Sequence, residues 1–435
     1  MKQRITNLIA ALLVVAAAIS PAGAELRIEI SQGVEKAVPI AVVPFGWDGQ
    51  GSAPFDVAGL VASDLERSGR FKALPPREML ERPTTARAID FGDWRLMGIE
   101  VIIIGRLIEN TADDYTIQFQ VFDAFRGEQL LGYRQPAKKS QLRGASHLVA
   151  DKIYEQLTGI PGVFSTRIAY IAVNGNPGQQ VYQLIVADAD GENARVLVES
   201  GDPLMSPTWS PDGRKIAYVS FEKKRSSVYV QTLRSGARQL VSSRAGVNGA
   251  PAWSPDGRKL ALTLSKTDGN LDVYTLDLAS QVLTRLTERP SIDTEPAWSS
   301  DGDEIFFTSD RAGRPQVYRV PAQGGRAQRV SFEGSYNARP RLAPNGEELA
   351  VVHNDRGNYR IALIELKRGV TQVLTSGSLD ESPSFAPNGE TLIYATRQGE
   401  RGVLATVTKD GRIQQRISAV AGDVREPAWS PFRKP

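Results

Sequence analysis

The sequence predicts two domains, an N-terminal α/β domain followed by an all-β six-bladed propeller closed by its C-terminal strand. Three observations carry that prediction. A motif of the form Pro-x-Trp-Ser-Pro-Asp-Gly, or a close variant, recurs from Pro207 at spacings of 44, 45, 44, 43 and 44 residues. Each full unit holds four short apolar stretches, which is the grammar of a propeller blade. Before Pro161 the pattern instead mixes helical and strand spacing.

The chain opens with Lys2 and Arg4, an apolar run from Leu8 to Ile19, and Ala22-Gly23-Ala24. A basic start, a short apolar core and small residues are the layout of a secretory signal peptide. The run is shorter than the ~20 residues a membrane helix needs. Residues 1–24 are therefore expected to be cleaved, with Glu25 as the mature N-terminus. Losing Lys2 and Arg4 leaves 50 basic against 49 acidic side chains, a charge of +1. Near-neutrality argues against nucleic acid as the main partner. With no cysteine in the chain, disulfides, thiolate metal sites and an N-terminal lipid anchor have no chemistry to build on.

Residues 25–160 are expected to form the α/β domain. Pro39–Phe45 reads as a buried strand and Asp56–Ser68 as a helix, with Val57, Leu60, Val61 and Leu65 on one face and Gly69 as its stop. Val101–Ile104 reads as a central strand. Tyr115, Ile117, Phe119 and Val121 alternate along a strand that pairs with Gln129–Tyr133 through the Arg126-Gly127 turn. A closing helix is expected over Ser146–Leu157, with Leu148, Val149, Ile153 and Leu157 inward.

Residues 161–435 are expected to form the propeller. Asp-Gly or Asn-Gly supplies the positive φ of a tight hairpin, and proline suits the first residue of a strand. Trp209, Trp253, Trp298, Leu342, Phe385 and Trp429 fill one recurring place. Because the place recurs in every unit, blade-to-blade packing explains it better than an aromatic ligand box. Arg167–Ile171 matches the second strand of a unit, Lys215–Val219, and the chain ends just after a first strand. Pairing the two ends completes a sixth blade and leaves no open sheet edge.

Catalytic chemistry is hard to assemble. No Gly-x-Ser-x-Gly elbow occurs, and the two histidines, His147 and His353, fall in different domains. His147 reads as a surface or satisfied core residue. What varies between blades is the stretch before each recurring proline, read here as loops at one end of the channel: either a partner surface or ordinary loop variation. Asp293, Glu295, Asp380, Glu381 and Glu426 in these stretches are candidate oxygen ligands for a channel Ca²⁺; no other cofactor is expected.

Several segments together carry a resemblance: the leader, Glu25–Ile30, Pro39–Phe45, the Trp-Ser-Pro-Asp-Gly repeats, and Asp310–Tyr318. Over essentially its whole length the chain resembles the TolB family of the Tol-Pal system. That resemblance implies a monomeric, non-enzymatic periplasmic adaptor supporting outer-membrane integrity and invagination at division. It implies that TolA binds the mature N-terminal segment Glu25, Leu26, Arg27, Ile28, Glu29, Ile30, Ser31, Gln32, Gly33, Val34, Glu35 and Lys36. It further implies that the lipoprotein Pal binds the channel face, including Asn248, Ala250, Thr294 and Glu295; Val247, Asp293, Asn337, Arg339, Asp380, Glu381 and Arg425 share that face. Val247 departs from the family pattern, standing where a histidine is expected. The rival class is a periplasmic small-ligand-binding or enzyme-accessory propeller.

Overall fold

The computed structural model describes residues 37–265, 269–417 and 422–433. The expected leader and the segment Glu25–Lys36 lie outside the described residues.

The first domain is built on β1 (Val38–Val42), β2 (Gly46–Asp48), α1 (Val57–Arg67), β3 (Phe71–Ala73), α2 (Phe91–Leu96), β4 (Val101–Glu109), β5 (Asp114–Asp123), β6 (Glu128–Lys138) and α3 (Leu142–Thr158). The sheet order is β3-β1-β4-β5-β6, with β2 also on β4. β1 lies parallel to β3 and β4, whereas β4, β5 and β6 are antiparallel. The predicted alternation holds: Tyr115, Ile117, Phe119 and Val121 are all buried, facing Val61, Leu65, Val149 and Ile153 of α1 and α3. Asp56 caps α1 by accepting the Gly59 N–H at 2.9 Å.

Two expectations about α3 are corrected. It starts at Leu142, not Ser146, because Leu142 and Ala145 extend its buried face by a turn. Leu148 is exposed, one step round the helix from the buried stripe of Ala145, Val149, Ile153 and Leu157. Gly159 ends the helix at φ 73°, a left-handed cap.

Six four-stranded sheets follow. The first blade comprises β7 (Arg167–Asn174), β8 (Val181–Asp188) and β9 (Arg195–Ser200), and the last strand, Asp423–Trp429, completes it on the inner side of β7. Val424 pairs with Ala172 and Trp429 with Ile168, so the ring closes as the repeat register predicts. In the next three blades the tryptophan packs the seam between neighbours. Trp209, for example, sits among Ala169, Ile171 and Ala428 of blade 1 and Ile216 and Tyr218 of blade 2. Its indole N–H donates to the Ala428 carbonyl at 3.0 Å; Trp253 and Trp298 reach the Thr208 and Ala252 carbonyls at 3.3 and 3.1 Å. Ser210, Ser254 and Ser299 each tie their own turn: Ser254 Oγ, for example, donates to Asp256 at 2.6 Å and accepts the Lys259 N–H at 2.9 Å. That hydroxyl lowers the Asp256 pKa.

The domains meet through α1 and α3. Arg70 pairs with Glu390 at 2.8 Å, and Asn388 donates to the Pro161 carbonyl at 2.9 Å. Among the described residues, no helix is long and apolar enough to cross a membrane.

Candidate partner-binding channel

The channel is walled by the six innermost strands, Leu204–Trp209, Asn248–Trp253, Asp293–Trp298, Asn337–Leu342, Glu381–Phe385 and Asp423–Trp429. Most of the stretches expected to be loops are the upper halves of these strands. Each strand continues across a one-residue bulge; Asn248 still pairs with Leu264 and Trp253 with Leu260. The bulge falls on the residue before the recurring proline. Ser206, Ala250, Glu295, Arg339, Ser382 and Glu426 all have left-handed backbones, with φ of 52°, 45°, 55°, 53°, 55° and 51°. All six stand before a proline, whose ring disfavours the right-handed helical region at the preceding residue.

The bulge brings these six residues together with five of the recurring prolines, Pro207, Pro251, Pro296, Pro383 and Pro427, around a constriction of about 50 Å³. Arg339 is its centre. Its Nε lies 2.8 Å from Glu295 Oε1, its Nη2 3.8 Å from Glu426 Oε1, and its Nη1 donates to Ser382 Oγ. Glu295 Oε2 accepts the Arg339 backbone N–H at 3.0 Å and Thr308 Oγ1 at 3.0 Å. Glu426 accepts the Ser206 N–H of the neighbouring blade. Burial acts to lower the Arg339 pKa, but Glu295, Glu426 and Glu381 together hold it above its ordinary value. The guanidinium stays charged and laces blades 1, 4, 5 and 6.

The strand register divides the predicted contact residues into two groups. Asn248, Asp293, Asn337 and Asp380 lie two residues before the bulge and point into their blades, each at most 1% exposed. Asn248 accepts from Ser242 Oγ at 2.6 Å, and Asp293 pairs with Arg311 at 2.7 Å. Asn337 donates to Gln316 at 3.0 Å and contacts His353 Nδ1 at 2.9 Å, while Asp380 accepts from Thr396 at 2.5 Å. These four are placed as internal ties between inner strand and outer loop. Val247, Ala250, Thr294, Glu295, Arg339, Glu381 and Arg425 stay accessible to differing degrees at the channel end, Val247 most of all. Of the acids considered as cation ligands, Asp293 and Asp380 are thus turned inward, and the cation between Glu295 and Glu426 is Arg339.

One channel residue escaped the sequence reading. Arg341 reaches both the constriction and the wider cavity beneath it. The signal was present: the residue after the recurring proline is Thr208, Ala252, Ala297, Arg341, Ser384 or Ala428, small in every blade but one.

A second cluster lies between the domains. His147 is buried, its Nδ1 2.6 Å from Asp64 and its Nε2 3.7 Å from Asp190 of the propeller. Arg67 pairs with Asp64 at 2.6 Å, and Arg143 binds Asp190 and lies 3.3 Å from Asp188. Although Asp64, His147 and Asp190 gather three ligand atoms within 4.8 Å, arginine already engages both carboxylates. The arrangement is an ion-pair network spanning the domain boundary.

Comparison with known proteins agrees with this architecture. Residues 26–130 match the family model described as TolB amino-terminal domain, and residues 154–433 the TolB beta propeller domain. The chain is 48% identical over 411 residues to the Tol-Pal system protein TolB of Xanthomonas campestris pv. campestris, covering 94% of this chain and 93% of that one. The Xanthomonas oryzae pv. oryzae protein of the same name is 47% identical over the same share of each. A crystal structure of TolB from Acinetobacter baumannii superposes with a TM-score of 0.84 at 42% identity, covering 91% of this chain and 97% of that one. With both domains matched and nearly the whole length shared, the chain belongs to the TolB family.

Proposed function

We propose that the chain is a non-enzymatic periplasmic adaptor of the Tol-Pal system. In this reading it binds Pal at the channel end of the propeller and TolA through Glu25–Lys36, and so supports outer-membrane integrity and invagination during division. The observation that carries the reading is the contrast within the propeller. Packing positions repeat from blade to blade, whereas the accessible residues at the channel end do not: Gly249, Thr294, Glu381 and Arg425, each one residue before the bulge, differ in size, polarity and charge. A repeating frame with a non-repeating rim suits recognition of one specific partner. The reading is supported by the relatives' name, Tol-Pal system protein TolB.

Glu25–Ile30 alternates charged and apolar residues, a pattern suited to adding a strand to a partner's sheet edge. Binding measurements with purified Pal test the propeller half of the proposal. Val247→Glu and Thr294→Arg change rim side chains that are at least partly exposed. Each is expected to weaken Pal binding at least tenfold while leaving the melting temperature within a degree or two of wild type. Unchanged affinity in both variants contradicts a Pal site at this end of the channel.

A further inference from the structure

Below the constriction the channel widens into a cavity of about 540 Å³, at the end where the Ser-Pro-Asp-Gly turns lie. No residue of the N-terminal domain lines it. Its walls are aromatic and pyrrolidine faces, among them Trp209, Phe385, Trp429, Phe432, Pro211 and Pro431. The volume falls within the range of about 300–1,000 Å³ typical of small-molecule sites. Such a site is mostly apolar with a few placed polar groups, and here the placed group is Arg341.

The surroundings of Arg341 make it unusual. It replaces the small residue found after the proline in the other five blades, so its side chain fills space left open elsewhere in the ring. Its Nη1 donates to the Pro340 carbonyl at 2.8 Å. Both nearby channel carboxylates, Glu295 and Glu426, lie within ion-pair reach of Arg339. Among the described residues, no carboxylate lies within the 4.0 Å ion-pair limit of Arg341. Burial lowers its pKa, with Glu295 and Glu426 opposing and Arg339 adding to the shift. A guanidinium carries a fork of donors matched to two carboxylate oxygens, and desolvating it without such a partner is costly.

From this we infer that the lower cavity binds a small monocarboxylate with an apolar body, the carboxylate on Arg341 and the body against the proline and aromatic walls. This site is separate from the proposed Pal rim: it opens at the opposite end and shares no accessible rim residue with it. The two readings therefore stand or fall independently.

The test is calorimetric titration of the mature full-length chain with 4-phenylbutyrate and, separately, with its uncharged amide. The acid is expected to bind at least tenfold more tightly than the amide. Arg341→Gln should abolish that preference and Arg341→Lys should restore part of it. Thr208→Phe, which fills the cavity while leaving Arg341 in the sequence, should abolish binding of both probes and guards against misreading an unstable Arg341 variant. Equal affinity for acid and amide would overturn the inference, as would a preference that survives in Arg341→Gln, or binding unaffected by Thr208→Phe. So would the absence of measurable heat with millimolar acid, which would make Arg341 a structural counter-charge to Glu295 and Glu426 alone.

Discussion

Ala250 holds a left-handed backbone, φ 45°, in the middle of a strand with no glycine to ease it. That conformation costs an ordinary residue about 1–2 kcal/mol, and the greater unfolded-chain entropy of glycine offsets about 0.5–1 kcal/mol of the relief when glycine is substituted. Ala250→Gly is therefore expected to raise the melting temperature by about 1–3 °C. A fall on differential scanning calorimetry would mean that the bulge is held without strain. Sequence reasoning found Ala250, Glu295 and Arg339 because they share one repeat register. It placed Asn248, Asp293, Asn337 and Asp380 at the channel face because they stand in the non-repeating stretches before each recurring proline, which were read as loops. Their burial depends on partners such as Arg311 and Gln316, which lie 18 and 21 residues away from Asp293 and Asn337, and no local pattern announces such a bond.

At the scale of elements, strands were the more legible. Period-two alternation in β5 and the blade repeats translated directly into buried faces. The start of α3 did not, since Leu142 and Ala145 join the core through tertiary packing rather than a capping signal. α3 also carries a pH-dependent joint to the propeller. Asp151 accepts the Phe164 N–H at 2.7 Å and the Ser165 N–H at 3.2 Å, and burial raises its pKa to about 6. A carboxyl raised above its unfolded value of about 3.9 stabilises the fold most below that value and loses its contribution as pH rises through about 6. Asp190 acts in the opposite sense. Burial raises its pKa, but Arg67, His147, the Glu192 N–H and Arg143 outweigh it and lower the net value; its contribution is present above pH 4 and fades on acidification. Asp151→Asn keeps an acceptor for Phe164 and removes the ionisation. Relative to wild type, it should be more stable at pH 7.5 than at pH 4.5, by about 1–3 kcal/mol in urea unfolding. No difference between the two pH values would exclude Asp151 as a titrating joint.

For the whole molecule, ring closure is the feature most fully readable beforehand, because a first strand at one end and a missing first strand at the other fit only each other. Deleting 422–435 should expose the edge of β7 and replace one cooperative thermal transition of the propeller with a broad or lower one. A transition unchanged in midpoint and width would show that the seam adds nothing. Less readable was the domain junction: His147 lies between Asp64 and Asp190 only because α1, α3 and the β8–β9 turn converge. That junction fixes the α/β domain on one end of the ring, while the proposed Pal rim lies at the other. Affinity capture from detergent-solubilised envelopes, with mature chain beginning at Glu25 beside a form beginning at Ala37, tests the two-ended adaptor most directly. The account predicts Pal with both forms and TolA with the longer form alone; recovery of neither partner, or of TolA with both forms, would contradict it.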